Sequence, residues 1–184
     1  AIYGEADMTY STSTSDGVIL TGTNNLYVTS GDTYSLTAST TLVGGDIHNF
    51  GTVSGTGNMN VMGGEVTGSG TINMTGGTFL IDGVGSFGND TGWTFNNLTF
   101  GNGIGVATTT STGTGSVTTA TTTIANNQIL DAGVNKTWNL TASFEPFQLQ
   151  GTLLASTSSF IYKGISNSTT TPATYYNLEI SPAS

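Results

Sequence analysis

Two carboxylates, Asp46 and Glu65, each follow a Gly-Gly pair and stand 19 residues apart. If the chain coils with that period, they lie one above the other at about the 5 Å spacing of neighbouring strands. A pair of carboxylates about 5–10 Å apart is what glycoside hydrolysis requires. Stacked carboxylates also suit Ca²⁺, a hard cation that takes oxygen ligands. Asp82 in Asp82-Gly83 and Asp90 in Asn89-Asp90 are the other calcium candidates. Yet the glycine-rich calcium nonapeptide and the EF-hand loop are both missing, and Asp-Gly and Asn-Asp are common turn pairs. His48 is the one histidine and there is no cysteine, so a zinc site or a Ser-His-Asp triad would rest on a single ring. The expectation is no catalytic residue and no cofactor, with structural calcium the one ion these acids would suit.

Four aromatic side chains can do a different kind of chemistry. Trp93, Trp138, Tyr175 and Tyr176 have faces on which sugar rings stack, and they are the candidate glycan contacts. They also fall in strand-like packets, where an aromatic fills a core, and that plainer role is the expected one.

The composition bounds what can position these groups. Of 184 residues, 37 are Thr, 19 Ser, 27 Gly and 16 Asn. Charged residues are 7% of the chain and the net charge is −9, with Lys136 and Lys163 the only Lys or Arg side chains. Nucleic-acid binding needs cations for phosphates and is excluded as an expectation. Helical folds need Ala, Leu, Glu, Lys and Arg, which are scarce. No apolar run approaches the roughly 18 residues of a membrane helix. Residues 1–5 lack the basic and apolar regions of a secretory leader, and a start at Ala1 fits a processed chain.

The apolar residues come in packets of two to four, such as Leu26-Tyr27-Val28, Met59-Asn60-Val61 and Phe79-Leu80-Ile81, divided by Gly, Asn, Ser and Thr. Such packets are too short for helices, and many alternate with period two, as strands with one buried face do. Their mean spacing from Val18 to Ile104 is about 6.6 residues, below the 8–12 usual for sandwich strands. Three short strands per turn give about 20 residues per turn and about nine turns in the chain. Internal matches support a repeat. Residues 51–64 match 64–77 at offset 13, residues 44–47 match 63–66 at offset 19, and residues 94–100 match 174–180 at offset 80. They suggest an N-terminal strand, cap or inter-subunit arm over 1–16, a first solenoid unit over 17–106 and a second over 107–184 with a Thr-rich start.

The run Gly55-Thr56-Gly57-Asn58-Met59-Asn60-Val61-Met62-Gly63-Gly64, followed by Gly68-Ser69-Gly70-Thr71-Ile72-Asn73-Met74-Thr75-Gly76-Gly77, resembles the turns of bacterial β-helical surface proteins such as autotransporter passengers and giant repetitive adhesins. The resemblance spans residues 17–184 at class level. It implies a right-handed parallel β-helix with an adhesive or scaffolding role, and it transfers no catalytic residue.

The expected fold is therefore an all-β, right-handed parallel β-helix, with a β-sandwich fibre subunit held by donor strands as the alternative. The expected function is a non-enzymatic structural module of a surface filament, sheath or adhesin, at the cell surface or outside it. Its expected partner is another copy of itself, or a continuing parent chain, joined by end stacking or strand addition. Ile2, Tyr3, Met8 and Tyr10 are the expected assembly strand. The alternative is a module that binds polysaccharide on a cell or phage fibre, with no nucleic acid and no membrane span in either reading.

Overall fold

The structure is a computed structural model that describes residues 2–4, 8–10, 18–37 and 39–182. Gly and Asn corners cut the chain into short extended pieces, and pieces such as Leu26–Val28, Thr33–Leu36, Asn58–Val61 and Thr78–Ile81 alternate buried and half-exposed positions. The strands are β1 (Ile2–Gly4), β2 (Met8–Tyr10) and β3 (Val18–Leu20), then β4 (Leu26–Val28), β5 (Thr33–Leu36) and β6 (Thr40–Val43). The next two coils hold β7 (Ile47–Asn49), β8 (Thr52–Gly55), β9 (Asn58–Val61), β10 (Val66–Thr67), β11 (Thr71–Met74) and β12 (Thr78–Ile81). Then come β13 (Gly85–Phe87), β14 (Trp93–Phe100), β15 (Ala107–Ser111) and β16 (Val117–Ile124). The chain finishes with β17 (Gln128–Asp131), β18 (Thr137–Leu140), β19 (Phe147–Leu149), β20 (Thr152–Leu154), β21 (Ser159–Tyr162) and β22 (Asn177–Ile180).

Every described strand pairing is parallel. A parallel pair needs a crossover of a dozen residues or more, and here the rest of each coil supplies it. The result is a three-faced β-solenoid of about 7 turns with ~21 residues per turn. The first face runs β2-β4-β7-β10-β13-β15-β17-β20. The second runs from β5 through β8 and β11 to the start of β14, then through β16 and β18 to β21 and β22. The third runs β1-β3-β6-β9-β12, the ends of β14 and β16, then β19. The long strands β14 and β16 cross from second to third face without a break, which joins those faces into one 14-stranded sheet. At about 4.8 Å per coil the stack is on the order of 34 Å tall.

Parallel pairing throughout excludes the sandwich alternative. The expectation of about nine turns is corrected to about seven. Part of the chain lies outside regular rungs, as between β21 and β22, and coil length varies along the stack. Thr33, Thr52 and Thr71 are in register 19 residues apart, but Thr94 and Thr118 are 24 apart and Thr123 and Gln148 are 25 apart. Of the three internal matches, offset 19 is the coil itself, with Ile47 beside Val66 and Val53 beside Ile72. Offset 13 relates strands on different faces, because Val53 is on the second and Val66 on the first. Offset 80 also crosses faces, since Leu98 lies on the third face and Leu178 on the second, next to Phe160. The Thr-rich stretch after residue 106 is ordinary coil: β15 and β16 pair in register with the coils on both sides.

The interior changes character along its length. The N-terminal coils bury mostly aliphatic side chains, among them Leu26, Val28, Leu36, Val43, Ile47, Val53 and Val61. The later coils are filled by aromatic rings. Phe87 stacks on Trp138 with centroids 6.2 Å apart, Trp138 on Phe160 at 5.8 Å, and Tyr175 meets Phe160 edge-on at 5.3 Å.

Candidate functional site

The acidic residues sit at coil corners, where a carboxylate oxygen can accept an N–H from the next coil. Asn25 Oδ1 accepts the Asp46 N–H at 2.7 Å, and Asp46 Oδ1 accepts the Glu65 N–H at 3.1 Å, so the two acids are stacked on successive coils. Glu65 Oε1 in turn accepts from Thr67 Oγ1 at 3.1 Å and lies 3.8 Å from His48 Nδ1, whose ring stacks on Tyr27. Asp82 accepts from the N–H and side-chain amide of Asn102, and Asp90 from the N–H and hydroxyl of Thr114. Asp131 accepts from the Gly133 N–H and from Ser156 Oγ. Three of the four calcium candidates, Asp46, Asp82 and Asp90, thus accept a backbone N–H of the following coil, while Glu65 is engaged by Thr67 and His48; apart from the Asp46–Glu65 pair they occupy separate corners. Among the described residues no three His, Asp or Glu come together.

The aromatic candidates divide. Trp93 and Trp138 are buried, and their indole N–H groups donate to Gly70 O at 2.9 Å and Ala132 O at 3.0 Å. Their faces meet other rings in the coil interior and offer nothing to a sugar. Tyr175 is half-buried against Phe147 and Phe160, with its hydroxyl 2.8 Å from both Thr171 O and Tyr162 Oη. Burial and the Tyr162 hydroxyl push its phenol well above the ordinary value. Tyr176, the next residue, is 61% exposed.

The coil end after β21 is where these elements meet. The inward columns of the second face run Trp138–Phe160–Leu178 and Leu140–Tyr162–Ile180. Trp138, Phe160, Leu140 and Tyr162 are buried, but Leu178 is 46% and Ile180 55% exposed. Among the described residues β22 has β21 as its one strand partner. The end is therefore half closed. Tyr175 covers Phe147 and Phe160, while β22 presents an unpaired edge with apolar side chains on it. At the other end β1 and β2, which carry Ile2, Tyr3, Met8 and Tyr10, pair with β3 and β4 of the same chain. They form rungs of the solenoid, and β1 and β2 have no other strand partner among the described residues.

One buried group had no signal in the sequence. Lys136 is buried, and its Nζ donates to Thr112 O at 2.6 Å and more weakly to Gly113 O at 3.4 Å, on the preceding coil. Gly88, a coil further back, has φ +125°, and a Cβ there would collide with Lys136 Nζ. Burial lowers the ammonium to about 8, with the Asp90 carboxylate pulling the other way.

The fold and this end define a β-solenoid with one apolar edge exposed. Comparison with known protein families, curated proteins and solved structures found no match to this chain.

Proposed function

We propose that this chain is a non-enzymatic, extracellular structural module of a surface filament, sheath or adhesin, and that it assembles by stacking its coil ends on other copies. The observation that carries the reading is the edge of β22, where Leu178 and Ile180 continue buried apolar columns and are left about half exposed. An unpaired parallel edge with apolar side chains recruits another strand, and solenoids leave such ends bare unless they are capped.

The order of faces supports a head-to-tail contact. From β4 to β21 the described strands visit first, second and third face in turn. The last described strand, β22, lies on the second face and the first, β1, on the third. A second copy set on the β22 end continues that order, with β1 and then β2 taking the next rungs. Ile2, Tyr3, Met8 and Tyr10 enter this reading as the receiving rungs, not as a free arm.

Sedimentation velocity across a range of concentrations tests the contact. Wild-type protein is expected to form larger species as concentration rises. The double variant Leu178→Asp/Ile180→Asp is expected to stay monomeric with an unchanged β-type circular dichroism spectrum. A wild-type chain that is monomeric throughout, or a folded variant that assembles equally well, contradicts the proposal.

A further inference from the structure

The chain that leads from β21 to β22 should pass over β19 and then β20, adding one rung to each. It adds a strand to neither among the described residues, and makes one isolated bridge, Ser168 with Phe144, ahead of β19. Pro172 has no N–H to give to a ladder, and among the described residues β20 pairs with β17 alone. The segment from Thr174 to Tyr176 instead bows away, anchored by the Tyr175 ring on Phe147 and Phe160 and by the Tyr175 hydroxyl on Thr171 O. A cleft of about 400 Å³ opens between the segment and β20, lined by Leu153, Leu154, Ser156, Thr174, Tyr175 and Tyr176.

We propose that this cleft binds a neutral sugar unit of a polysaccharide. Its volume falls in the range of about 300–1,000 Å³ typical of small-ligand sites, which are mostly apolar with a few fixed polar groups. Leu154, 49% exposed, and Tyr176, 61% exposed, are the apolar surfaces open to solvent there. The C–H face of a pyranose packs on such surfaces, while its hydroxyls need hydrogen-bonding partners at the rim. Ser156 and Thr174 supply them. Ser156 is held in place at φ +49° by donating to Asp131 Oδ1 at 2.6 Å, so its oxygen remains an acceptor. No carboxylate and no ammonium lines the cleft, although the chain as a whole carries −9. A charged sugar would find no counter-charge there, and an acidic one would meet the net negative field of the protein. The uncharged lining therefore selects a neutral ligand. Tyr175 is the rigid wall and Tyr176 the stacking face, so two of the four aromatic residues marked in the sequence lie at this cleft and the two buried tryptophans do not.

The cleft lies on the first face at the coil end where a stacked copy would set β2, so sugar and stacked copy compete for it; binding is therefore tested at concentrations where the chain is monomeric, with a readout separate from assembly. The full-length chain is applied to a glycan array of neutral and acidic sugars, and then to affinity gels containing dextran, laminarin, galactomannan or alginate. Binding to at least one neutral polymer and none to alginate is expected. Tyr176→Ala should weaken binding about tenfold, the loss of roughly 1.4 kcal/mol usual for an aromatic anchor, whereas Tyr176→Phe keeps the ring and should bind as wild type does. Leu154→Asp, which puts a charge into the cleft, should abolish binding and provides a second reading should Tyr176→Ala misfold. A blank array, equal retention by alginate, or full binding by folded Tyr176→Ala or Leu154→Asp overturns the proposal.

Discussion

At the scale of single residues, the unusual feature is polar side chains in the coil interior. The Thr-rich coils place Thr109, Ser111, Thr119 and Thr122 where other coils carry apolar groups. Thr119 Oγ1 donates to Thr121 O at 2.6 Å and is satisfied. Ser111 Oγ and Thr122 Oγ1 are buried with no hydrogen-bond partner among the described residues. A buried hydroxyl without a partner costs about 1–3 kcal/mol. Thr122 sits between Leu98 and Phe147 in its column, so Val fits the same space without the hydroxyl. Thr122→Val is expected to raise stability by about 1 kcal/mol in a denaturant titration. The sequence showed the Thr-rich stretch but not which hydroxyls point inward. That depends on the register of β16 against β14, which period-two alternation of threonines cannot reveal because both faces look alike.

At the scale of elements, corners decide the structure more than strands do. Gly55, at φ +131°, lets the second face turn toward the third while its backbone packs on Leu36, and a Cβ there would strike the Leu36 carbonyl. The Asn and Asp corners bind the next coil, which is why offset 19 was legible in Gly-Gly-Asp-Ile and Gly-Gly-Glu-Val. Offsets 13 and 80 misled because every corner draws on the same few residues whichever face it serves.

Lys136 is a corner device of another kind, since its side chain hydrogen-bonds the preceding coil at residues 112–113 and fills the space beside Gly88 of the coil before that. Folding lowers this ammonium from 10.5 to about 8. Between those two pH values the unfolded chain keeps a proton that the folded chain has released, so stability rises with pH across that window. Tyr175 acts in the opposite sense. Its phenol is raised on folding above the ordinary 10.0, so from about that pH upward the unfolded chain ionises first and stability falls as pH rises. The unfolding temperature is expected to climb from pH 8 toward pH 10 and drop beyond it. In Lys136→Met the climb should vanish and the drop remain. A climb that persists in Lys136→Met would show that another group is responsible.

At the scale of the molecule, low charge and abundant Gly, Asn and Thr describe a stack of coils. The fold class could be read from short packets that alternate with period two, at a spacing below the 8–12 residues usual for sandwich strands. The coil end at β22 was less legible. Tyr176 was marked for its ring, but its partners Leu153 and Leu154 come from an earlier coil, and only the bowed segment after Pro172 brings them together. Lys136 was invisible for a similar reason, since nothing in Asn135-Lys136-Thr137 distinguishes a buried lysine from a solvated one.

The central claim is that coils continue from one copy to the next through the β22 edge, and electron microscopy of concentrated wild-type protein tests it most directly. Unbranched filaments one solenoid wide are expected, with the strand spacing of about 4.8 Å along the filament axis. Dispersed single particles at high concentration, or fibres whose strand spacing runs across the axis, would contradict it.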